Sequence, residues 1–406
     1  MIHLDAKINC CGCNACSQIC PKECIRMQED KEGFLYPSII IENCIDCGLC
    51  EQVCPVICQK NESNPLLVYA AKHKDLDIRM KSSSGGVFTS LAEYILSKNG
   101  VVFGAKFNNN WEVVHDYTEN IDDLSSFRGS KYVQSKIGEC YKQAEAFLKA
   151  GRKVLFTGTP CQIAGLKFFL RREFDNLLTV DFICHGTPSP MVWRRYLDEL
   201  LIRERCIKDK NKSMYSLKYT KSDICDIEFR NKIIGWRKYS FVLTLSSIYK
   251  SELNNTILLS ETVDKNVFLQ GFLADLYLRP SCHFCPVKSH RSGSDITIAD
   301  FWSVKKNKPE LDDDKGVSLI TIQSMNGKNI YEMLELFSFE LYDVELQKMS
   351  YESCRSHPRR NEFFKKLETS SSVIELITDI LYVPSLKKWR NRILFLGKVC
   401  IKKILR

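Results

Sequence analysis

Twelve of the twenty cysteines in this 406-residue chain stand where their spacing could hold metal, and eleven of the twenty crowd into residues 1–60. Two segments share one grammar, C-x2-C-x2-C-x3-C-P: Cys10, Cys13, Cys16 and Cys20 before Pro21, then Cys44, Cys47, Cys50 and Cys54 before Pro55. The short spacings wrap a tight loop around one iron–sulfur cubane, so that three thiolates reach three irons. The x3 step is expected to set the fourth thiolate at a helix start, pointing the other way. Zinc sites pair two CxxC units over a longer gap and need neither eight cysteines nor two prolines. The chemistry these residue types allow is one-electron storage and transfer.

This is the run of two-cluster ferredoxins, in which the fourth cysteine ligates the other cluster. Cys10, Cys13, Cys16 and Cys54 are therefore assigned to one [4Fe-4S] cluster, and Cys44, Cys47, Cys50 and Cys20 to the second. Cys11, Cys24 and Cys58 are surplus and read as small buried apolar side chains. Such a unit depends on metal to fold.

The elements that must position these groups follow from pattern. Residues 1–60 read as an α+β dicluster ferredoxin-like domain, and 61–80 as a linker on the strength of the polar run QKNESNPL (59–66). From there the chain reads as an α/β domain over 81–325, with halves 81–150 and 151–325. Strands are expected at 101–107, 111–117, 153–157, 177–183, 295–302 and 317–324, and short antiparallel strands within 213–245. Helices are expected at 82–100, 136–150, about 160–171, 191–205 and 268–280, the last ending before Pro280. Residues 326–406 read as a helical C-terminal region.

Composition narrows the class. Hydrophobic content is 44% and charged content 26%, ordinary for a chain with a large core. The start lacks a basic segment followed by an apolar one, and no run of 18 apolar residues occurs, so neither a secretory signal nor a transmembrane helix is expected. The thiols are then read as metal ligands in a reducing, cytoplasmic setting. The formal charge is +9, but eight Lys or Arg and no acidic residue lie beyond Asp379, which leaves the rest at +1. No nucleic-acid partner is expected from so even a balance.

Four further cysteines could do chemistry together. Cys161 and Cys184 each follow the carboxyl end of a strand expected to be parallel, the edge where ligands bind in open α/β sheets. Cys282 and Cys285 form a CxxC before Pro286. A third [4Fe-4S] cluster, a zinc ion and unrelated buried thiols are all open on spacing alone. Cys140, Cys206, Cys225, Cys354 and Cys400 show no ligand spacing. In SSSGGVF (82–88), Ser83, Ser84, Gly85 and Gly86 could let backbone N–H groups approach a phosphate at a helix start, although a capped helix needs no ligand. Arg128 and Lys131 offer phosphate charge and Tyr132 a stacking ring. Thr157, Gly158, Thr159 and Gln162 lie on a turn after a strand. His185 could donate a proton or simply bond within a turn, and Asp300 could touch a ring or ribose or cap a turn. GxGxxG, Walker A, HExxH and GxSxG are absent.

FTGTPCQIAGLK, DFICHGTPSP, RPSCHFCPVK and DITIADFW, with SSGGVF upstream, resemble the coenzyme F420 hydrogenase/dehydrogenase beta-subunit family over about residues 68–330. Hydroxymethyl chlorophyll reductase is similar and belongs to the same group. The resemblance implies an α/β flavin-binding domain holding FAD, with a [4Fe-4S] cluster beside the flavin on Cys161, Cys184, Cys282 and Cys285. It also implies FAD contacts from Ser83–Gly86, Lys131–Tyr132 and Thr157–Gln162. The expected activity is that of an oxidoreductase passing electrons from a ferredoxin-like donor through the clusters to FAD and a small organic acceptor, or the reverse. The alternative is a non-catalytic electron-transfer subunit of a larger complex. Three clusters of about −2 each, thiolates included, would bring the formal +9 to roughly +3.

The tail LKKWRNRILFLGKVCIKKILR (386–406) places apolar residues at steps of three and four among eight cations. That pattern suits a helix lying peripherally on the anionic inner face of a membrane, or one docked on the protein body or a partner.

Overall fold

A computed structural model describes residues 2–3, 6–209, 219–246, 256–342 and 346–382, so the tail 386–406 with Cys400 lies outside the described residues. Thirteen strands occur among these residues: β1 (Ile25–Glu29), β2 (Leu35–Ile39), β3 (Leu67–His73), β4 (Val101–Phe107), β5 (Val113–Thr118), β6 (Val154–Thr157), β7 (Leu177–Phe182), β8 (Ile224–Asn231), β9 (Ser240–Ser246), β10 (Thr256–Thr262), β11 (Ile296–Asp300), β12 (Ser318–Ile322) and β13 (Leu336–Glu340). Eight form one sheet in the order β13-β3-β12-β11-β7-β6-β4-β5. Its centre, β11-β7-β6-β4, is parallel, and the strands outside it pair antiparallel.

The parallel strands are apolar on both faces because helices cover both. Along β4 and β6, Val101, Phe103, Val154 and Phe156 face one side, with Ile163, Leu166 and Phe169 of the helix Pro160–Leu170. Val102 and Leu155 face the other, with Val87, Leu91 and Ile95 of the helix Val87–Ser97. The period-two alternation assigns each residue to its layer. A further core joins the antiparallel sheet β10-β9-β8 to the helices Pro190–Asp209, Val267–Leu273, Arg360–Leu367 and Val373–Leu381.

The N-terminal unit packs onto the larger body. Cys11, Cys13, Ala15 and Val53 belong to the same buried cluster as β4, β6 and the helix Pro160–Leu170. Phe34, at the turn of the β1–β2 hairpin, is fully buried in the core of the antiparallel sheet. Arg360 grips Glu32 of that turn through both carboxylate oxygens (3.1 and 2.6 Å) and also donates to Leu278 O.

Several sequence expectations shift. Leu67–His73, assigned to a linker, is β3, inside the large sheet between β12 and β13. The region after 326 is not wholly helical, because β13 returns to that sheet at its edge. The expected helix 268–280 stops at Leu273, and Asp275 turns the chain at a φ of 60°. Helical periodicity failed there because Leu276, Tyr277 and Leu278 are buried through a turn that leads into the bridge between Leu278 and Pro188, not as a helix face. The serines of 82–84 do not cap the start of the following helix; Ser82 instead closes the preceding helix Leu76–Lys81, its Oγ donating to Ile78 O at 2.7 Å. The following helix begins at Val87 after Gly86, whose φ is +91°, and its first turn is reached through backbone that only glycine adopts readily.

Candidate functional site

Each N-terminal cysteine loop ends on a left-handed residue, Asn14 (φ 67°) or Gly48 (φ 73°), followed by a single helical turn that carries Cys16 or Cys50. Cys20 then sits just past the end of its helix rather than at a helix start, and Cys54 likewise follows the helix Leu49–Gln52. Burial pushes the Cys16 thiol up to about 12, and the neighbouring charges of Cys10, Cys54 and Cys50 add to the rise. Burial also raises Cys54, and Cys10 is among its neighbours. Cys13 is raised by Cys16 and Cys54 in the same way, so Cys10, Cys13, Cys16 and Cys54 lie near one another, with Cys50 also within reach of Cys16. Thiols that suppress one another's ionisation suit a cationic core that would neutralise them. Cys20, Cys44, Cys47 and Cys50 line one recess of about 370 Å³, open solvent included. Cys24, read from sequence as a plain buried side chain, lines it too, with its Sγ 3.3 Å from Cys20 Sγ. Cys58 hydrogen-bonds Glu51 O and also stands near Cys54, to whose carbonyl its N–H donates at 2.8 Å.

The four later cysteines meet. Cys161 is carried by the first turn of the helix after β6, and Cys184 follows β7 by two residues. The segment 277–279 runs beside 187–189, with Ser189 N donating to Tyr277 O and Arg279 N to Thr187 O, both at 3.0 Å. That pairing delivers the CxxC to the sheet edge, where Thr187 N donates to Cys282 Sγ (3.4 Å). Cys161, Cys184, Cys282 and Cys285 consequently line one cavity of about 590 Å³, open solvent included. Among the described residues no three His, Cys, Asp or Glu side chains close on a point as a single ion would require. Burial raises the Cys184 and Cys282 thiols and pushes Cys285 up to about 12. Lys288 stands over Cys184, donating to its carbonyl at 2.9 Å. Cys354, given no role from sequence, lies against this site, its Sγ 3.4 Å from Cys282 O.

The N-terminal unit and this cavity adjoin. Cys161 and Cys11 interact through their sulfurs, and Cys11 also interacts with Cys13. A Cβ on Gly165 would stand 2.8 Å from Cys13 Cβ, so this glycine is what lets the helix approach the cysteine loop. Between the two sites lies Arg279, fully buried, which sequence reasoning passed over. Its only sequence signal is a lone cation closing an apolar run before Pro280.

His185 lines the same cavity, its Nε2 2.6 Å from Asp275 Oδ1 and its ring edge-on to Phe272 at 5.0 Å. Phe272 in turn stacks on Tyr132 at 4.6 Å. Tyr132 leads into a polar cluster. Ser130 N donates to Ser83 Oγ (2.7 Å), which joins the 83–86 and 128–132 loops. Ser84 accepts from Lys232 Nζ at its carbonyl (2.6 Å), and Gly85 N donates to Ser318 Oγ (3.0 Å). Burial brings Lys131 down to about 8. Asp300 spends both oxygens on the protein, pairing with Arg230 and accepting from Trp236 Nε1 at 2.8 Å, so it acts by orienting Arg230. Arg230 is buried, yet its Nε and Nη2 have no partner. Two guanidinium nitrogens without a hydrogen bond, on a side chain lying over the Tyr239 and Trp302 rings at 4.5 and 5.1 Å, fit an anionic, ring-bearing cofactor.

Thr157, Gly158, Thr159 and Gln162 hang on a separate network. Gln162 Nε2 donates to Ser135 Oγ (2.9 Å), Ser135 pairs with His115 Nδ1 (2.8 Å), and His115 Nε2 lies 3.0 Å from Thr157 O. Thr159 and Gln162 form a capping box at the helix start. Burial lowers His115 to about 4, so the ring is neutral and Nε2–H donates to the carbonyl. The described residues contain no helix long and apolar enough to cross a membrane.

Three family models match the chain. Residues 9–58 match the 4Fe-4S dicluster domain. Residues 68–141 match the N-terminal part of the coenzyme F420 hydrogenase/dehydrogenase beta subunit, and residues 151–344 its C-terminal part. No curated protein matches. A chain of the F420-reducing [NiFe] hydrogenase complex from Methanosarcina barkeri is similar in structure, at 14% identity and a TM-score of 0.43, over 78% of this chain and 91% of that one. With both halves of one family in order behind a cluster-binding unit, the chain belongs to the coenzyme F420 hydrogenase/dehydrogenase beta-subunit family and carries a 4Fe-4S dicluster domain at its N-terminus.

Proposed function

We propose that the chain is an iron–sulfur flavoprotein oxidoreductase exchanging electrons between a ferredoxin-like protein and a small organic substrate. Cys10, Cys13, Cys16 and Cys54 hold one N-terminal cluster, and Cys44, Cys47, Cys50 and Cys20 the other. Cys161, Cys184, Cys282 and Cys285 hold a third. The observation that carries the reading is that three distant segments bring these last four thiols to one cavity, directly behind Cys11 and Cys13.

FAD, when bound, supplies the exchange between one-electron and two-electron chemistry. Ser83, Ser84, Gly85, Gly86, Lys131 and Tyr132 would hold it, with Arg230 offering its free nitrogens to the anionic part and Asp300 fixing that guanidinium. The turn from Thr157 to Gln162 is kept rigid by His115. His185 is oriented by Asp275 and donates or accepts the substrate proton at Nδ1. The wall of Phe272 and Tyr132 excludes water between the cysteine cavity and the polar cluster.

Anaerobic purification with iron, sulfide, zinc and flavin quantification tests the reading. About twelve irons and one FAD per chain are expected, from three cubanes of four irons each. About eight irons, or zinc in excess of iron, would overturn the third centre. The family's standing as a beta subunit favours a second reading, a relay within a larger complex. That reading expects full clusters with no turnover of small acceptors by the isolated chain.

A further inference from the structure

Arg279 is a charged side chain with no surface, and its partners are unusual. Its Nε donates to Cys10 O (2.8 Å), its Nη1 to Gln134 Oε1 (3.0 Å), and its Nη2 to Leu35 O (2.9 Å) and toward Cys10 Sγ (3.5 Å). The guanidinium carbon lies 4.3 Å from the Tyr36 ring centre and 5.4 Å from that of Phe34. None of these hydrogen bonds reaches a carboxylate. Burial works against its charge, and the ionisable groups around it that favour the charge are Cys10, Tyr36, Cys11 and Cys282, of which only the cysteines can become anions by holding metal. A guanidinium does not deprotonate in a protein, and burying it without an anion is costly. The anion this site implies is therefore a thiolate-bound centre.

We propose that Arg279 sets the affinity of the Cys10 centre for its electron and couples that centre to the Cys282 site. Reduction adds one negative charge to the centre and none to the arginine, which neither gains nor loses an electron. The electron comes from the external one-electron donor and leaves for the next centre, with no proton required. A fixed positive charge at hydrogen-bond distance stabilises the more negative state, so the reduced centre is favoured. The rigid seat matters as much as the charge, because a fork bonded to two carbonyls and an amide cannot swing away to solvate itself. Placed between Cys10 and Cys282, it lowers the cost of having an electron on either side of the junction. The Cys282 half rests on the third-centre reading above, whereas the Cys10 half rests only on the dicluster domain. Iron content reports the first and potential the second, so the two failures are distinguishable.

The test is a redox titration of the anaerobically purified full chain, followed by electron paramagnetic resonance. In Arg279→Gln, one N-terminal centre is expected to lose at least tenfold in its reduction equilibrium, about 59 mV for one electron, while the other moves less than threefold. Arg279→Lys, which keeps the charge without the fork, is expected to stay within threefold of the wild type. An R279Q chain that loads its N-terminal iron and titrates like the wild type overturns the proposal. So does R279K falling as far as R279Q, since charge would not be the agent. If R279Q fails to load iron, Gln134→Glu decides. It sets a carboxylate on the guanidinium while leaving the arginine stacked on Tyr36, and the same tenfold loss is expected. An unchanged value there overturns the proposal.

Discussion

Cysteines of one type divide here by what stands opposite them. The dicluster domain and its eight proposed ligand positions were legible because short spacing forces sulfur atoms into one loop, a constraint local to the sequence. The later four were legible only as fragments, since their meeting depends on 277–279 pairing with 187–189. Cys161→Ser or Cys282→Ser is expected to lower iron from about twelve to about eight per chain, with the N-terminal signals kept; unchanged iron would count against the third centre. Cys24 and Cys354 escaped the spacing argument because neither belongs to a motif, yet Cys24 lies against the thiol of Cys20 and Cys354 against the carbonyl of Cys282, both proposed ligands.

His115 offers a pH prediction at the same scale. Its ordinary value is near 6.5, and burial lowers it to about 4 in the folded chain. The unfolded chain takes up the proton first as pH falls. The stability this ring contributes is therefore complete above about 6.5 and is lost progressively down to about 4, for a total of about 3 kcal/mol. Denaturant titrations at stepped pH should show this slope, and His115→Gln should flatten it while lowering stability at pH 7.5.

At the scale of elements, the decisive contact is between the helix Pro160–Leu170 and the first cysteine loop. Gly165→Val forces side-chain atoms into the space of Cys13 and Tyr141. It is expected to cost about 1–3 kcal/mol of stability by overpacking and to slow reduction of the inner centre by external dithionite-reduced ferredoxin. Calorimetry with stopped-flow absorbance would check both. Within the sheet's parallel centre, β6 and β7 could be read from apolar strands each followed by a helix pattern. The strands at one end of the sheet, β3 and the edge strand β13, could not, because Leu67–His73 follows a polar run and Leu336–Glu340 is largely exposed. Their pairing with each other, across more than 260 residues of chain, has no local signature.

The whole molecule is two units sharing one interior. Phe34, Glu32 and Cys13 of the first are buried in or bonded to the second, so the N-terminal unit is not carried loosely at the end of a tether. Its own small core is mostly cysteine, with Cys16, Cys24, Cys50 and Cys54 beside Ile2 and Ile25. Iron chelation is accordingly expected to lower the Tm of the entire chain, and limited proteolysis should then cut within 9–58 before any other region. A chelated chain whose larger body melts unchanged would show that the two units are energetically separate.

Along this interior the centres differ in their exposure to the outside. Cys161 and Cys282 lie behind the first cysteine loop, whereas Cys47 is exposed at the surface with Ile45 beside it. Damage by air therefore has an address. Oxygen meets the Cys47 centre first, and that centre should bleach earliest and be rebuilt most often, while the inner ones outlast it.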